Sequence, residues 1–251
     1  MSIENEVRIV EVKDIPEGIT IICGLPDVGL VGVIAAMHII SKLNLGEAAY
    51  VETDLLPPVI VLENGLPKSP IRVFEGGGIA VLNSEIAIPS NIIYSLMRSI
   101  VDWAWKKKAE KVITLSGIPV PNRYDLEKVR VFGAASNDAM LKILKDNEVE
   151  IIERGFLVGP QALILKYCVK KNIPAMALLA EAFYNYPDPE ASSMVIRTLN
   201  KIMNMNIDVS ELMERGEEVR LAMRDMMRRT QAELAKMRKS HEYDIPSFYI
   251  R

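Results

Sequence analysis

Thiol and imidazole chemistry have little to work with in this chain. Its 251 residues hold two cysteines, Cys23 and Cys168, and two histidines, His38 and His241. Two cysteines exclude a disulfide framework, and their separation excludes a C-x-x-C zinc pair. Neither histidine has a Ser or Cys partner in a recognisable arrangement, so no nucleophilic triad is read. His38, inside an apolar stretch, reads as a core or interface residue, and Cys23 as a small core residue. Long hydrophobic runs are missing too. The longest uncharged apolar stretch, residues 28–37, is far short of the roughly 20 residues that cross a bilayer. Nor does one sign of charge dominate: Lys plus Arg is 30 and Asp plus Glu is 33, a net charge of -3. That balance argues against nucleic acid or an anionic membrane as partner. The opening MSIENEVRIVEVKDI is neither a signal nor a transit peptide, and with so few cysteines a cytoplasmic location is expected.

What is present is globular: 49% hydrophobic and 25% charged residues, ample for a core and too apolar for disorder. Residues 19–23 (ITIIC) are a β-branched run, hence a buried strand. Gly24-Leu25-Pro26-Asp27-Val28-Gly29 is a turn, and residues 30–43 are apolar nearly all round, as in a buried helix. YVETDLL, VIVLE, IRVFE and IAVLNSE then read as short strands punctuated by Pro57-Pro58, Asn64-Gly65 and Gly76-Gly77-Gly78, the last pair a hairpin. From Pro89 helices and strands alternate. The first helix is capped by Ser90 or Asn91 and ends at Lys106, Lys107 and Lys108. Strands 112–116, 149–153 and 173–179 follow, with helices at 137–144, from Gly159-Pro160 and from Asp188-Pro189. This alternation predicts an α/β chain with a mixed, mostly parallel sheet, built as one domain over residues 1–207.

The end of the chain has another character. Asp208 and Glu211 read as a capping box. Val209, Leu212, Gly216, Val219, Met223, Met226 and Thr230 keep a three-four spacing that slips at Glu233. Residues 208–239 are therefore predicted as one amphipathic helix whose seam is core or oligomer interface rather than a cofactor box. Its basic face lacks the interleaved aromatics of a nucleic-acid surface and reads as solvated, or as facing an acidic protein. Residues 240–251 include Pro246 and no helical period, and are predicted as a flexible tail.

Two constellations bear on chemistry. The loop from Gly24 to Gly29 and Gly32 begins with Walker A spacing, but Leu30 and Val31 stand where Lys and Ser/Thr are needed, and Asp27 would repel phosphate. The glycines are read as serving a tight turn and close helix–sheet packing. Asp27, Glu85 and Glu181 each follow the end of a predicted strand, at the edge where open α/β sheets bind ligands; Arg123 and Tyr124 could join them. Two readings stay open. The carboxylates could hold Mg²⁺ or do acid–base work, or they could cap helices and pair with arginines at a subunit contact.

Four stretches carry a resemblance: GLPDVGLVG at 24–32, WAWKKKAEKVITLSGIPVP at 103–121, GFLVGPQALILKYCVKKNIPAMALLAEA at 155–182 and YPDPEASSMVIRTLNKI at 186–202. In their order and spacing, and with DVSELMERGEE after them, the chain resembles the proteasome assembly chaperone family in its archaeal and bacterial branch, over most of residues 5–220. The resemblance implies a single three-layer α/β/α sandwich of phosphorylase/hydrolase type. It implies ATP-independent binding proteins that form homo- or hetero-oligomers and carry no cofactor. Archaeal members are associated with proteasome core particles, some through a C-terminal tail ending hydrophobic-Tyr-any. Gly24, Gly29, Glu181, Pro187, Asp188 and Pro189 match family positions and carry over as structural or ligand-edge residues. The tail departs from the pattern: it ends Phe248-Tyr249-Ile250-Arg251, with Tyr249 third from the end.

The expectation is thus a non-enzymatic, homo-oligomeric chaperone or binding protein acting on proteasome subunits or core particle, with Phe248, Tyr249, Ile250 and Arg251 as partner-binding residues. No metal site is expected. The alternative is a small-molecule enzyme, nucleoside phosphorylase/hydrolase-like or ATP-grasp-like, working at the crevice of Asp27, Glu85, Arg123 and Glu181.

Overall fold

The β-branched run at 20–24 is buried at all five positions, which requires cover on both faces of its sheet. The computed structural model, which describes residues 7–237, supplies that cover. The strands of the main sheet are β1 (Arg8–Glu11), β2 (Thr20–Gly24), β3 (Gly46–Glu52), β6 (Ile71–Gly76), β7 (Ile79–Ser84), β8 (Lys111–Pro119), β9 (Val131–Ala135), β10 (Glu150–Ile151) and β11 (Ala175–Ala182). Between β3 and β6, β4 (Val61–Glu63) and β5 (Leu66–Lys68) form a separate two-stranded hairpin. The nine strands lie in the order β1-β3-β6-β7-β2-β8-β11-β9-β10. The middle, β7-β2-β8-β11, is parallel. The β1-β3-β6-β7 flank and the β11–β9 pair are antiparallel, so the sheet is mixed.

Helices cover both faces. α2 (Ile93–Lys106) and α4 (Pro160–Lys171) bury Leu96, Met97, Ile100 and Ile164 against Ile21, Leu82 and Val112. On the other face, α1 (Val31–Lys42), α3 (Asp138–Asp146) and α5 (Pro189–Met203) set Val33, Leu144 and Val195 against Ile22, Val81, Ile113 and Leu178. Alternate residues of one strand serve opposite cores, as the two-residue period of a strand dictates. Each fully buried aliphatic side chain contributes about 1.5–3 kcal/mol. Local signals agree with the elements: Asn137 accepts from the Met140 N–H at 2.9 Å to start α3, and Asp188 caps α5 with Pro189 in its first turn.

Several boundaries differ from expectation. α2 starts with Ile92 at its cap and no side-chain cap bond, and the Ser90 N–H donates to Glu233 instead. β1 and β9 carry weak strand signals and are recruited by neighbours that need an edge partner. β8 runs on through Gly117. The single helix predicted from Asp208 is two, α6 (Ser210–Glu214) and α7 (Gly216–Lys236). Arg215 leaves helical geometry at the junction, where Gly216, a poor helix former, sits against Pro189. Asp208 does not cap through a box: its Oδ1 accepts from the Ser210 N–H and hydroxyl, while Glu211 reaches Lys42.

The seam faces the chain's own body. Val209, Leu212, Met227, Thr230 and Leu234 are buried, and Val219, Met223 and Met226 are half-buried against the α1–α5 side. Past Thr230 the buried line passes to Leu234 and Met237, one residue beyond the three-four position at Glu233.

Candidate functional site

The loop from Gly24 to Gly32 is built by close approach. A Cβ on Gly32 would lie 2.2 Å from the Leu115 carbonyl oxygen, so only glycine lets α1 come this near β8. Gly29 sits in the left-handed region (φ 61°) inside a 3₁₀ turn, Val28–Leu30, and its carbonyl accepts the Asp188 N–H at 2.8 Å. The turn after β2 and the start of α5 are thereby tied together.

Each charged residue of the sheet edge has a partner, and the pairs are separate. Asp27 is buried and accepts a 2.5 Å hydrogen bond from the Ser116 hydroxyl on β8. Arg123 is buried and donates to both Asp188 oxygens, at 2.9 and 3.2 Å, and to Glu190 at 2.8 Å. Burial opposes the Arg123 charge, but Asp188 and Glu190 together raise its pKa above the ordinary value. Glu181 lies within β11 rather than after it, and takes Arg130 at 2.6 and 3.1 Å together with the Arg130 backbone N–H at 2.9 Å. Its hydrogen bond to Arg130 raises that guanidinium's pKa. Glu85 turns toward β6, to Arg72, which also holds Glu63 at 2.9 Å and Glu47 at 3.3 Å. The structure thus links Asp27, Gly29, Arg123 and Asp188 through the Gly29 turn, and leaves Glu85 and Glu181 in ion clusters of their own. Pro187 and Pro189 are buried beside Asp188.

Part of this edge is covered by the chain itself. α7 begins with Gly216 against Pro189 and packs on the 3₁₀ turn Val28–Leu30. Gln231 then donates to Asn185 at 2.9 Å, and Glu233 accepts the Ser90 N–H at 2.8 Å. Its contacts therefore run across the loops that follow β11, β2 and β7, the crevice where an open α/β sheet takes a ligand. Among the described residues, no group of three or more His, Cys, Asp or Glu could hold a metal ion, and no helix is long and apolar enough to cross a membrane.

Sequence reasoning named Tyr124 but missed its neighbours. Tyr124 meets Phe183 at 4.4 Å between ring centroids with the rings tilted by 51°, Phe183 meets Tyr186 edge-on at 6.3 Å, and the Arg123 guanidinium lies over the Phe183 ring. Only the fold brings residues 124 and 183–186 together, so no local motif marks them. A cavity of about 590 Å³, lined by Ser90, Tyr94, Leu157, Leu163 and Met237, opens where α7 ends. Phe248, Tyr249, Ile250 and Arg251 lie outside the described residues.

Comparison with known proteins places this architecture. The profile of the PAC2 family matches residues 21–227. Uncharacterized protein MJ0106 of Methanocaldococcus jannaschii is 30% identical over 221 residues, 88% of this chain and 90% of its own length. The crystal structure of Pyrococcus furiosus PbaA, an archaeal homolog of proteasome-assembly chaperone, matches with a TM-score of 0.84 and 28% identity, covering 90% of this chain and 98% of that one. Pyrococcus furiosus PbaB, an archaeal proteasome activator, shares the fold with a TM-score of 0.74 and 22% identity, covering 88% of this chain and 98% of that one.

Proposed function

The chain belongs to the PAC2 family, and on that footing we propose that it is a chaperone or binding protein for proteasome subunits or the assembled core particle. In this reading it works as a cytoplasmic homo-oligomer, without ATP and without a catalytic step. The observation that carries the reading is the seating of α7 along the strand edge, against the turn Val28–Leu30 and the loops at Asn185 and Ser90. At an edge where such folds take small ligands, α7 covers the Val28–Leu30 turn, and Arg72, Arg123 and Arg130 are held in ion pairs with Glu85, Asp188 and Glu181. The likeness to PbaA supports the class of partner.

The partner-binding element in this reading is the end of the chain, Phe248-Tyr249-Ile250-Arg251. Two adjacent aromatics bring about 150–250 Å² each to a pocket, and the terminal carboxylate meets a lysine. Several tails on one oligomer add avidity. The test is co-sedimentation with cognate core particle of the full chain, a deletion of residues 248–251, and a deletion of Arg251 alone. The longer deletion is expected to abolish binding while melting temperature and oligomer mass hold, and the shorter to preserve or strengthen it. Intact binding with a lowered melting temperature in the longer deletion would make the tail structural and overturn this mode.

A further inference from the structure

α7 carries a row of arginines that its own chain leaves unmatched. Arg220, Arg224 and Arg228 follow one another at four-residue intervals, with Gln231 three further on, so all four lie on one flank of the helix. Arg220 is paired with Glu217. Beyond it the helix has two carboxylates, and neither balances the row. Glu233 is held by Lys236 and the Ser90 N–H, and Asp225 lies 3.9 Å from Arg224, whose side chain is 77% exposed. Arg228 is exposed and has no ion-pair partner among the described residues. Like charges four apart on a helix repel, so the row is a local cost in the single chain. The face of α7 that packs at home is a different one, with Met227, Thr230 and Leu234.

The row borders the aromatic group that follows β8 and β11. Gln231 donates to Asn185, the residue before Tyr186. Tyr186 and Tyr124 are 57% and 79% exposed, and both rest on Phe183. The group has a fixed foundation: Arg123, which lies over the Phe183 ring, is itself clamped by Asp188. Tyrosine and arginine are among the residue types that dominate binding energy at protein interfaces, and a rigid base lowers the ordering cost of using them.

We propose that this surface, Arg224 and Arg228 with Tyr124 and Tyr186, docks an acidic segment of a partner protein. The inference rests on the protein-binding reading above and gives it a contact that does not use the end of the chain. Charge complementarity selects the partner: two unmatched guanidiniums call for carboxylates, which a guanidinium takes in two-pronged geometry. The aromatic end selects against nucleic acid, which also seeks arginine and aromatic rings. Asp125 and Glu127 are exposed in the loop of Tyr124 and outnumber Lys128 there, and Glu190 reaches Arg123 beneath it. A phosphate backbone is charged at every nucleotide and would meet those carboxylates. A peptide can set its carboxylates at the arginines and an uncharged stretch at the tyrosines.

The experiment is fluorescence anisotropy on the full chain with two labelled probes. One is a peptide with a run of glutamates at one end and alternating serine and leucine at the other, and the second is a uridine oligonucleotide. Wild type is compared with Arg224→Glu plus Arg228→Glu, with Tyr186→Ala, and with Lys142→Glu plus Lys145→Glu, which makes the same charge change on α3. The peptide is expected to bind wild type, and to lose about tenfold or more in affinity in the arginine variant and several-fold in Tyr186→Ala, with melting curves retained. In the α3 variant its Kd is expected to stay within about twofold of wild type at physiological salt. No peptide binding by wild type, an equal loss in the α3 variant, or tighter binding of the oligonucleotide through the same arginines would overturn the proposal. So would peptide binding that appears only once residues 240–251 are removed, which would give the row to the chain's own end, or a drop in subunit mass in the arginine variant, which would give it to a second copy. Core particle that co-sediments with wild type and the arginine variant alike, while the peptide binds neither, would overturn this surface and leave the reading above standing.

Discussion

Arg123 and Asp188, 65 positions apart, form a buried two-pronged ion pair, Nε to Oδ2 at 2.9 Å and Nη2 to Oδ1 at 3.2 Å. The same carboxylate also accepts the N–H groups of Phe183 at 3.2 Å and Ala191 at 3.0 Å. One side chain therefore caps α5, fixes the turn after β11 and holds the loop after β8. Removing Arg123 would leave Asp188 charged and buried. Arg123→Ala is expected to cost about 3–5 kcal/mol in urea unfolding; a loss under about 1 kcal/mol would show that the pair does not organise the edge.

Gly32 tests the packing reading of the glycine loop. The nearest atom to a new Cβ is the Leu115 carbonyl oxygen at 2.2 Å, backbone that cannot swing aside. Gly32→Ala is expected to destabilise by about 1–3 kcal/mol, read by thermal or urea denaturation. A neutral result would mean that α1 is free to back away from β8.

The layered α/β architecture was legible because β-branched runs such as 20–24, and the cap-then-proline pairs at Gly159-Pro160 and Asp188-Pro189, act within a few residues. The glycine loop was legible for the same reason: a missing lysine and hydroxyl argue against a phosphate site locally. β9 was not, because a strand such as Val131–Ala135 is set by its partners β11 and β10. Nor was the fate of the seam: a three-four spacing is the same whether the helix packs at home or on a neighbour, and only the fold shows Leu234 on the chain's own core. The carboxylates at 27, 85 and 181 share an edge in sequence logic, but which partner each one meets depends on contacts as distant as the 89 positions between Asp27 and Ser116.

Thr230 has a buried hydroxyl with no hydrogen-bond partner among the described residues. Its burial is an energetic cost that the isosteric valine avoids. Thr230→Val is expected to leave stability unchanged or raise it by up to about 1–2 kcal/mol, measured as a shift in the urea midpoint. A clear loss would mean that the hydroxyl is satisfied in solution.

Glu233 makes the seating of α7 sensitive to acid. Burial disfavours its charge, yet the ion pair with Lys236 and the Ser90 N–H outweigh this and hold its pKa below the ordinary carboxylate value. The folded value being lower, its contribution is present above the unfolded pKa of about 4.3 and is lost as pH falls through the folded value. The stability gap between wild type and Glu233→Gln should be widest near neutral pH and close in acid. A gap that does not change with pH would remove the charge from the explanation.

The central claim, that this chain works by holding a protein rather than by transforming a small molecule, is tested most directly by its affinity for cognate proteasome core particle, measured without nucleotide and again with Mg-ATP. The account predicts saturable binding with the same Kd in both conditions. Failure to bind in either condition, or binding that appears only when Mg-ATP is present, would contradict it.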